Sequence, residues 1–166
     1  MIEELKANGL VIKNLKKINI LVGKNGVGKS HTLKSVRNYY QVPFTTIPEE
    51  NIDIPMRWVD ALRVLQSPKT IGICFDDADL GCHYSDMEMC WQLILDELKG
   101  NNKQVFVATH SYELIKALYN VVKNKKEEMV GLYRLKADKE DIDNIEVVDY
   151  SWDQFVKSFD YGFEVR

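Results

Sequence analysis

An apolar run that breaks into a glycine-rich turn and a Lys-Ser pair constrains this chain more than any other feature: residues 18 to 30 read INILVGKNGVGKS. The spacing Gly23-x-x-x-x-Gly28-Lys29-Ser30 is that of a phosphate-binding loop. Each part has a physical task. Gly23, Gly26 and Gly28 let the backbone curl so that successive N–H groups converge on an anion. Lys29 reaches the β- and γ-phosphates, the Ser30 hydroxyl ligates Mg²⁺, and the helix that starts near Lys29 adds the positive end of its dipole. The expected nucleotide-binding set runs from Asn25 through Gly26, Val27, Gly28, Lys29 and Ser30 to His31, with His31 itself read first as a packing or capping residue.

The rest of the chain reads as alternating strands and helices. Leu10 to Ile12 and Ile18 to Val22 are short strands, and Lys29 to Tyr40 is a helix. Val42 to Ile47 lies between Pro43 and Pro48, which suits a strand near a sheet edge. Pro55 to Gln66 carries Trp58, Leu62 and Leu65 at helical spacing. Thr70 to Phe75 is fully apolar and ends in Asp76-Asp77, the pattern of a buried parallel strand with acids at its C-terminal edge. Ser85-x-x-Glu88 reads as a capping box for a helix whose face is Met87, Cys90, Trp91, Ile94 and Leu98, closed by Gly100. Lys103 to Thr109 is a further buried strand ending in His110, after which Ser111 caps a helix through Val122. Met129 to Leu135 and Ile145 to Val148 form a late antiparallel hairpin around an acidic loop. Ser151-x-x-Gln154 caps a last helix, Trp152 to Phe159. This alternation predicts an α/β fold with a mostly parallel sheet flanked by helices, and 166 residues fit one domain over 1–166.

A phosphate loop needs a second element that fixes Mg²⁺ and a water. Asp76 is assigned to the metal shell together with Ser30, and Asp77 to orienting or deprotonating the water. His110 ends a strand of the same parallel sheet, so it shares an edge with Asp77 and the loop and can hydrogen-bond a γ-phosphate. The expected catalytic set is therefore Asp77, His110 and Lys29, with ATP and Mg²⁺ as ligands.

Taken together, GKNGVGKS, FDDADLGCHYSD and VATHSYELI resemble the P-loop NTPases of the ABC-ATPase type, in the SMC-like and OLD-like (overcoming lysogenisation defect) branch. That branch typically reads DEPExGLHP and a TTHSP-like stretch at the second and third motifs. Asp76 matches the family's Asp, Asp77 stands for its catalytic Glu, Asp79 for its second acid, and His110 for its switch histidine. IKNLKKINILVG and the tail YSWDQFVKSFDYGFEVR resemble the family's two ends. There are departures. Residues 30 to 75 are too few for the helical subdomain usually found there, and NIDIP stands where an LSGGE-like signature is expected. No secure counterpart of the Mg²⁺-sensing glutamine exists, since Gln41 is at the wrong end of its strand. In the family the signature completes the ATP site of the opposite subunit, so its absence argues against a self-sufficient ATP-locked homodimer and for a protein partner that supplies part of the site.

The resemblance implies a minimal Mg·ATP-binding ATPase with slow hydrolysis, acting as a nucleotide-dependent switch on a partner protein or DNA. Two alternatives stay open: an interaction module that binds ATP with negligible hydrolysis, and a small P-loop kinase. Against the kinase, Arg37, Arg57, Arg63, Arg134 and Arg166 are scattered and form no arginine-bearing lid. Three cysteines, Cys74, Cys82 and Cys90, offer no close pair in sequence, so neither a disulfide framework nor a zinc site is expected. With no run of ~18 apolar residues and no apolar leader in MIEELKANG, the expectation is a soluble, cytoplasmic protein without a membrane span. A formal charge of −3 argues against a uniformly basic nucleic-acid binder. Any DNA contact would fall to the lysines at 13, 16 and 17, so binding to duplex DNA is expected to be weak, indifferent to sequence and lost as salt rises; fluorescence anisotropy through a salt titration checks this, and tight binding that survives high salt contradicts it.

Overall fold

The computed structural model describes residues 1–7, 10–39, 44–47, 54–80, 82–125, 129–137 and 145–160. Two short strands, β1 (Leu5–Ala7) and β2 (Leu10–Ile12), pair antiparallel as a sheet of their own. β3 (Ile18–Val22) leads into the glycine-rich loop and then α1 (Lys29–Tyr39). There follow β4 (Phe44–Ile47), α2 (Ile54–Gln66), β5 (Gly72–Phe75), α3 (Met87–Leu98), β6 (Gln104–Ala108) and α4 (Tyr112–Val122). The chain then forms β7 (Val130–Ala137), β8 (Ile145–Tyr150) and α5 (Trp152–Asp160).

The protein is α/β, with a six-stranded sheet in the order β4-β5-β6-β3-β7-β8. Every neighbouring pair is parallel except β7 with β8, which are antiparallel as the hairpin pattern requires. β4 takes the edge, as its flanking prolines imply. β3, β5 and β6 are buried along their whole lengths, because helices cover both faces of a parallel sheet. One face packs on α1 and the β1–β2 pair through Leu5, Ile12, Leu33, Val36, Phe106 and Tyr133. The other packs on α2, α3, α4 and α5 around Trp58, Trp91, Ile94, Leu118 and Phe155. Trp58 sits edge-on to both Phe75 and Trp91, with ring centroids 5.0 and 5.2 Å away, and this joins α2 and α3 to β5.

Two caps behave as their sequences predict. Ser111 Oγ accepts the Leu114 N–H at the start of α4. Ser151 Oγ accepts the Gln154 N–H while Gln154 Oε1 accepts the Ser151 N–H. The capping box at Ser85 and Glu88 does not form. The N-cap of α3 is Asp86, which makes no side-chain cap bond. Ser85 Oγ instead donates to Asp86 Oδ1 and meets His83 Nδ1, and Glu88 accepts from Asn120 of α4. Hydroxyl and carboxylate each find a closer partner than the helix amides. Cys74, Cys82 and Cys90 are free thiols; the fold brings Cys82 Sγ to 3.9 Å from Cys90 Sγ, and burial pushes the Cys90 thiol up to about 12. Gln41, the acidic loop at 138–144, NIDIP except its last two residues, and the tail at 161–166 lie outside the described residues, and of Val42 to Ile47 only 44–47 is described. No helix among the described residues is long and apolar enough to cross a membrane.

The loop's first glycine is fixed by the sheet. Gly23 has φ +147°, and a Cβ there would stand 2.5 Å from the Leu135 carbonyl oxygen of β7 and 2.9 Å from Val27 Cγ1. Gly26 also has positive φ, +79°, but a Cβ there meets nothing within 4 Å. Gly23→Ala is therefore expected to cost a few kcal/mol through backbone collision, against ~1 kcal/mol for the conformational strain of Gly26→Ala. Chemical denaturation of both variants checks the order, and equal losses would contradict it.

Candidate functional site

Parallel register gathers the sequence-predicted residues at one edge. Leu21 of β3 pairs with Ala108 of β6, and Val107 of β6 pairs with Phe75 of β5. The three strands thus end together, and the loop, His110 and Asp76-Asp77 leave from adjacent points. β6 lies between β3 and β5, so the acids come from the strand after next; the histidine strand is the immediate neighbour. An open cleft of about 500 Å³ results. The loop side contributes Asn25, Gly26, Gly28, Lys29, Ser30 and His31, followed by Lys34; the opposite wall is Asp77 and His110.

Lys29 is only 7% exposed, and its ammonium donates to the carbonyls of Gly23 at 2.9 Å and Lys24 at 3.1 Å. Two of its three N–H bonds are thereby used to hold the loop, and the third remains for an anion. Ser30 is exposed at the start of α1. His31 is exposed and lines the cleft, which corrects its reading as a packing residue. Val27 departs in the other sense. It is buried in the core beneath α1, and its N–H turns to the Lys24 carbonyl, so its side chain is a foot of the loop and does not face the cleft.

Asp77 occupies the left-handed region, with φ +41°, a conformation that costs ~1 kcal/mol or more for a side-chain-bearing residue unless its surroundings hold it. Arg57 does so. This α2 residue is 1% exposed, and its guanidinium donates to the Asp76 carbonyl at 2.7 Å and the Asp77 carbonyl at 3.0 Å. It also stands 5.1 Å over the Phe75 ring. Trp58 Nε1 donates to the Ala78 carbonyl one residue further on. The turn's other side is tied by Asp79, which accepts the Thr109 hydroxyl, while Thr109 Oγ1 also accepts the Ser111 N–H. The links bring Asp77 Oδ1 to 3.8 Å from His110 Nδ1.

Asp76 is the half-buried acid behind Asp77. Its Oδ1 is sealed from solvent and has no hydrogen-bond partner among the described residues. A carboxylate oxygen so placed calls for a cation or a donor, but Asp76 is not among the residues that line the loop cleft with Ser30. Asp77, Asp79 and His110 also bring ligand atoms within 4.8 Å of one another. Sequence reasoning missed Arg57, whose partners are backbone carbonyls some twenty residues away and leave no mark in spacing. No protein-family model and no curated protein matches this chain.

Removing the guanidinium takes its donor from the Asp76 carbonyl and leaves the Asp77 carbonyl with the Leu80 N–H. Arg57→Ala is expected to destabilise the fold by about 2–4 kcal/mol, and Arg57→Lys to recover only part, since an ammonium lacks the planar fork that spans two carbonyls. Urea unfolding measures both; a loss below ~0.5 kcal/mol for the alanine variant contradicts the assignment.

Proposed function

We propose that this chain is a minimal P-loop ATPase of the ABC type, binding Mg·ATP on the loop from Asn25 to His31 and hydrolysing it slowly as a nucleotide-dependent switch on a partner protein or DNA. The observation that carries this reading is the single cleft that joins Lys29 and Ser30 at the mouth of the glycine-rich loop to Asp77 and His110 on the facing wall.

The free N–H of Lys29 and the first amides of α1 bind the phosphates, with the helix dipole adding to their field. Asp76 and Ser30 would hold Mg²⁺, which when bound neutralises phosphate charge. Asp77 accepts the proton of a water as that water's oxygen bonds to the γ-phosphorus. The bond between the γ-phosphorus and the bridging oxygen breaks, and its electron pair leaves with ADP, so the products are ADP and phosphate. His110, within reach of the Asp77 carboxylate, donates to a γ-phosphate oxygen and is held in place by the Asp79–Thr109 bond.

Slow turnover follows from Asp77. Its carboxylate sits one C–C bond shorter than a glutamate's, and a displacement of ~1 Å at a reacting group costs on the order of 100-fold. The same feature favours a second reading, ATP binding with negligible hydrolysis.

Lys29→Ala should abolish tight ATP binding and keep the melting temperature within a few degrees, because the ammonium contacts loop carbonyls and not the apolar core. Unchanged affinity in that folded variant would sink the loop assignment. Asp77→Asn should retain ATP and lose hydrolysis, since an amide cannot accept the water's proton. Asp77→Glu separates the readings: held or raised phosphate release supports the ATPase, and complete loss supports the binding module.

A further inference from the structure

The arginines that look scattered in sequence do not stay scattered. Arg134 of β7 is in parallel register with Val22 of β3, so it stands one strand spacing, ~4.8 Å, from the residue that opens the glycine-rich loop. Side chains alternate along β7. Leu132 belongs to the core under α2–α5, and Leu135 to the core under α1. Arg134 therefore projects on the Leu132 side, where it lines a cleft with Ile115 of α4. Gly23, Lys24, Asn25 and His110 also line this second cleft, of about 460 Å³. Asn25 and His110 line this cleft and the loop cleft alike, so the two adjoin. The end of β3 is thus flanked by His110 from one neighbouring strand and Arg134 from the other.

Half-buried, the Arg134 guanidinium has no carboxylate partner among the described residues. A partly desolvated guanidinium without a counter-ion is costly unless an anion completes its surroundings. Lys24 on the same cleft raises that demand.

We infer that Arg134 is a phosphate-contacting residue supplied by the chain itself, reading the terminal phosphate of a nucleoside triphosphate on the face where the signature of the related ATPases is missing. The inference rests on the loop cleft being the Mg·ATP site. Its content is discrimination: the planar fork can bond two oxygens of one phosphate, and the His110–Asn25 side of the cleft is where the third phosphate distinguishes ATP from ADP. Lysine offers the charge but not the fork.

The test is calorimetric titration of ATP and of ADP, each with Mg²⁺, into the full chain and its Arg134→Ala and Arg134→Lys variants, with thermal unfolding as the check of fold. The wild-type chain should favour ATP. Arg134→Ala should lose about 10-fold or more in ATP affinity and about 2-fold or less in ADP affinity, and Arg134→Lys should recover part of the ATP loss. Added guanidinium ion should restore part of the alanine variant's preference, which a merely structural role would not allow. Should Arg134→Ala fail to fold, Arg134→Gln keeps the stem and carries the same comparison. An unchanged ATP-to-ADP ratio in a folded variant overturns the inference alone. If the wild-type chain binds neither nucleotide, the loop reading falls and this inference with it.

Discussion

Taking a guanidinium out of water costs several kcal/mol, and the site's geometry depends on how that cost is met at Arg57. Its two terminal nitrogens donate to the carbonyls of Asp76 and Asp77, and its charge lies over the Phe75 ring. These contacts stand in for the lost water only if the turn after β5 keeps its shape. Asp77 can then hold a positive φ that its own side chain disfavours. Neither side is stable without the other: the turn carries strained backbone and buried carbonyls, and α2 carries a buried charge. Trp58, donating to Ala78 and packed on Phe75 and Trp91, extends the arrangement into the core. A movement of α2 would therefore be felt first at Asp77.

The sheet converts this local arrangement into a site. Because β3, β6 and β5 are parallel and in register, their C-terminal ends deliver three different chemistries to one edge: a ring of loop amides with a lysine, an imidazole, and two carboxylates. The late hairpin approaches the loop closely: a Cβ on Gly23 would stand 2.5 Å from the Leu135 carbonyl oxygen of β7, and one on Gly28 2.9 Å from the Ile145 side chain of β8. The late hairpin thus acts as the stop against which the loop is set, besides closing the sheet.

Features whose chemistry is local were legible in the sequence. The loop glycines, the apolar runs ending in Asp76-Asp77 and His110, the Ser111 cap and the Ser151–Gln154 box all satisfy their partners within a few residues. Ser85–Glu88 has the same local pattern and fails because His83, Asp86 and Asn120 compete for the two side chains. Strand order was not legible. β5 and β6 are both continuous apolar runs, and nothing in either says which lies next to β3. β1, three residues long, shows no alternation to detect. Arg57 and Arg134 were missed as site residues because their positions come from helix packing and strand register, and Cys82 meets Cys90 only when the turn before α3 folds back.

Electrostatics gives the cleft its direction. The chain carries a formal charge of −3, yet among the described residues Lys24, Lys29, Lys34 and Arg134 stand around the two neighbouring clefts against one carboxylate, that of Asp77, on their walls. A cluster of one sign in a concave site focuses field on an entering anion, and on the proposed reading that anion is the triphosphate. Both clefts are open to solvent, so the field is weak. Two unit charges 4 Å apart interact by ~1 kcal/mol in bulk water and ~4 kcal/mol at the effective dielectric of a covered surface. A partner that covered this face would deepen the attraction without adding a charge, and the gain would be largest for the most highly charged ligand, the triphosphate. By linkage, ATP would then tighten the partner to the same degree that the partner tightens ATP. On that reading, an open, cationic site on an acidic chain would couple nucleotide state to partner contact through the displacement of water alone.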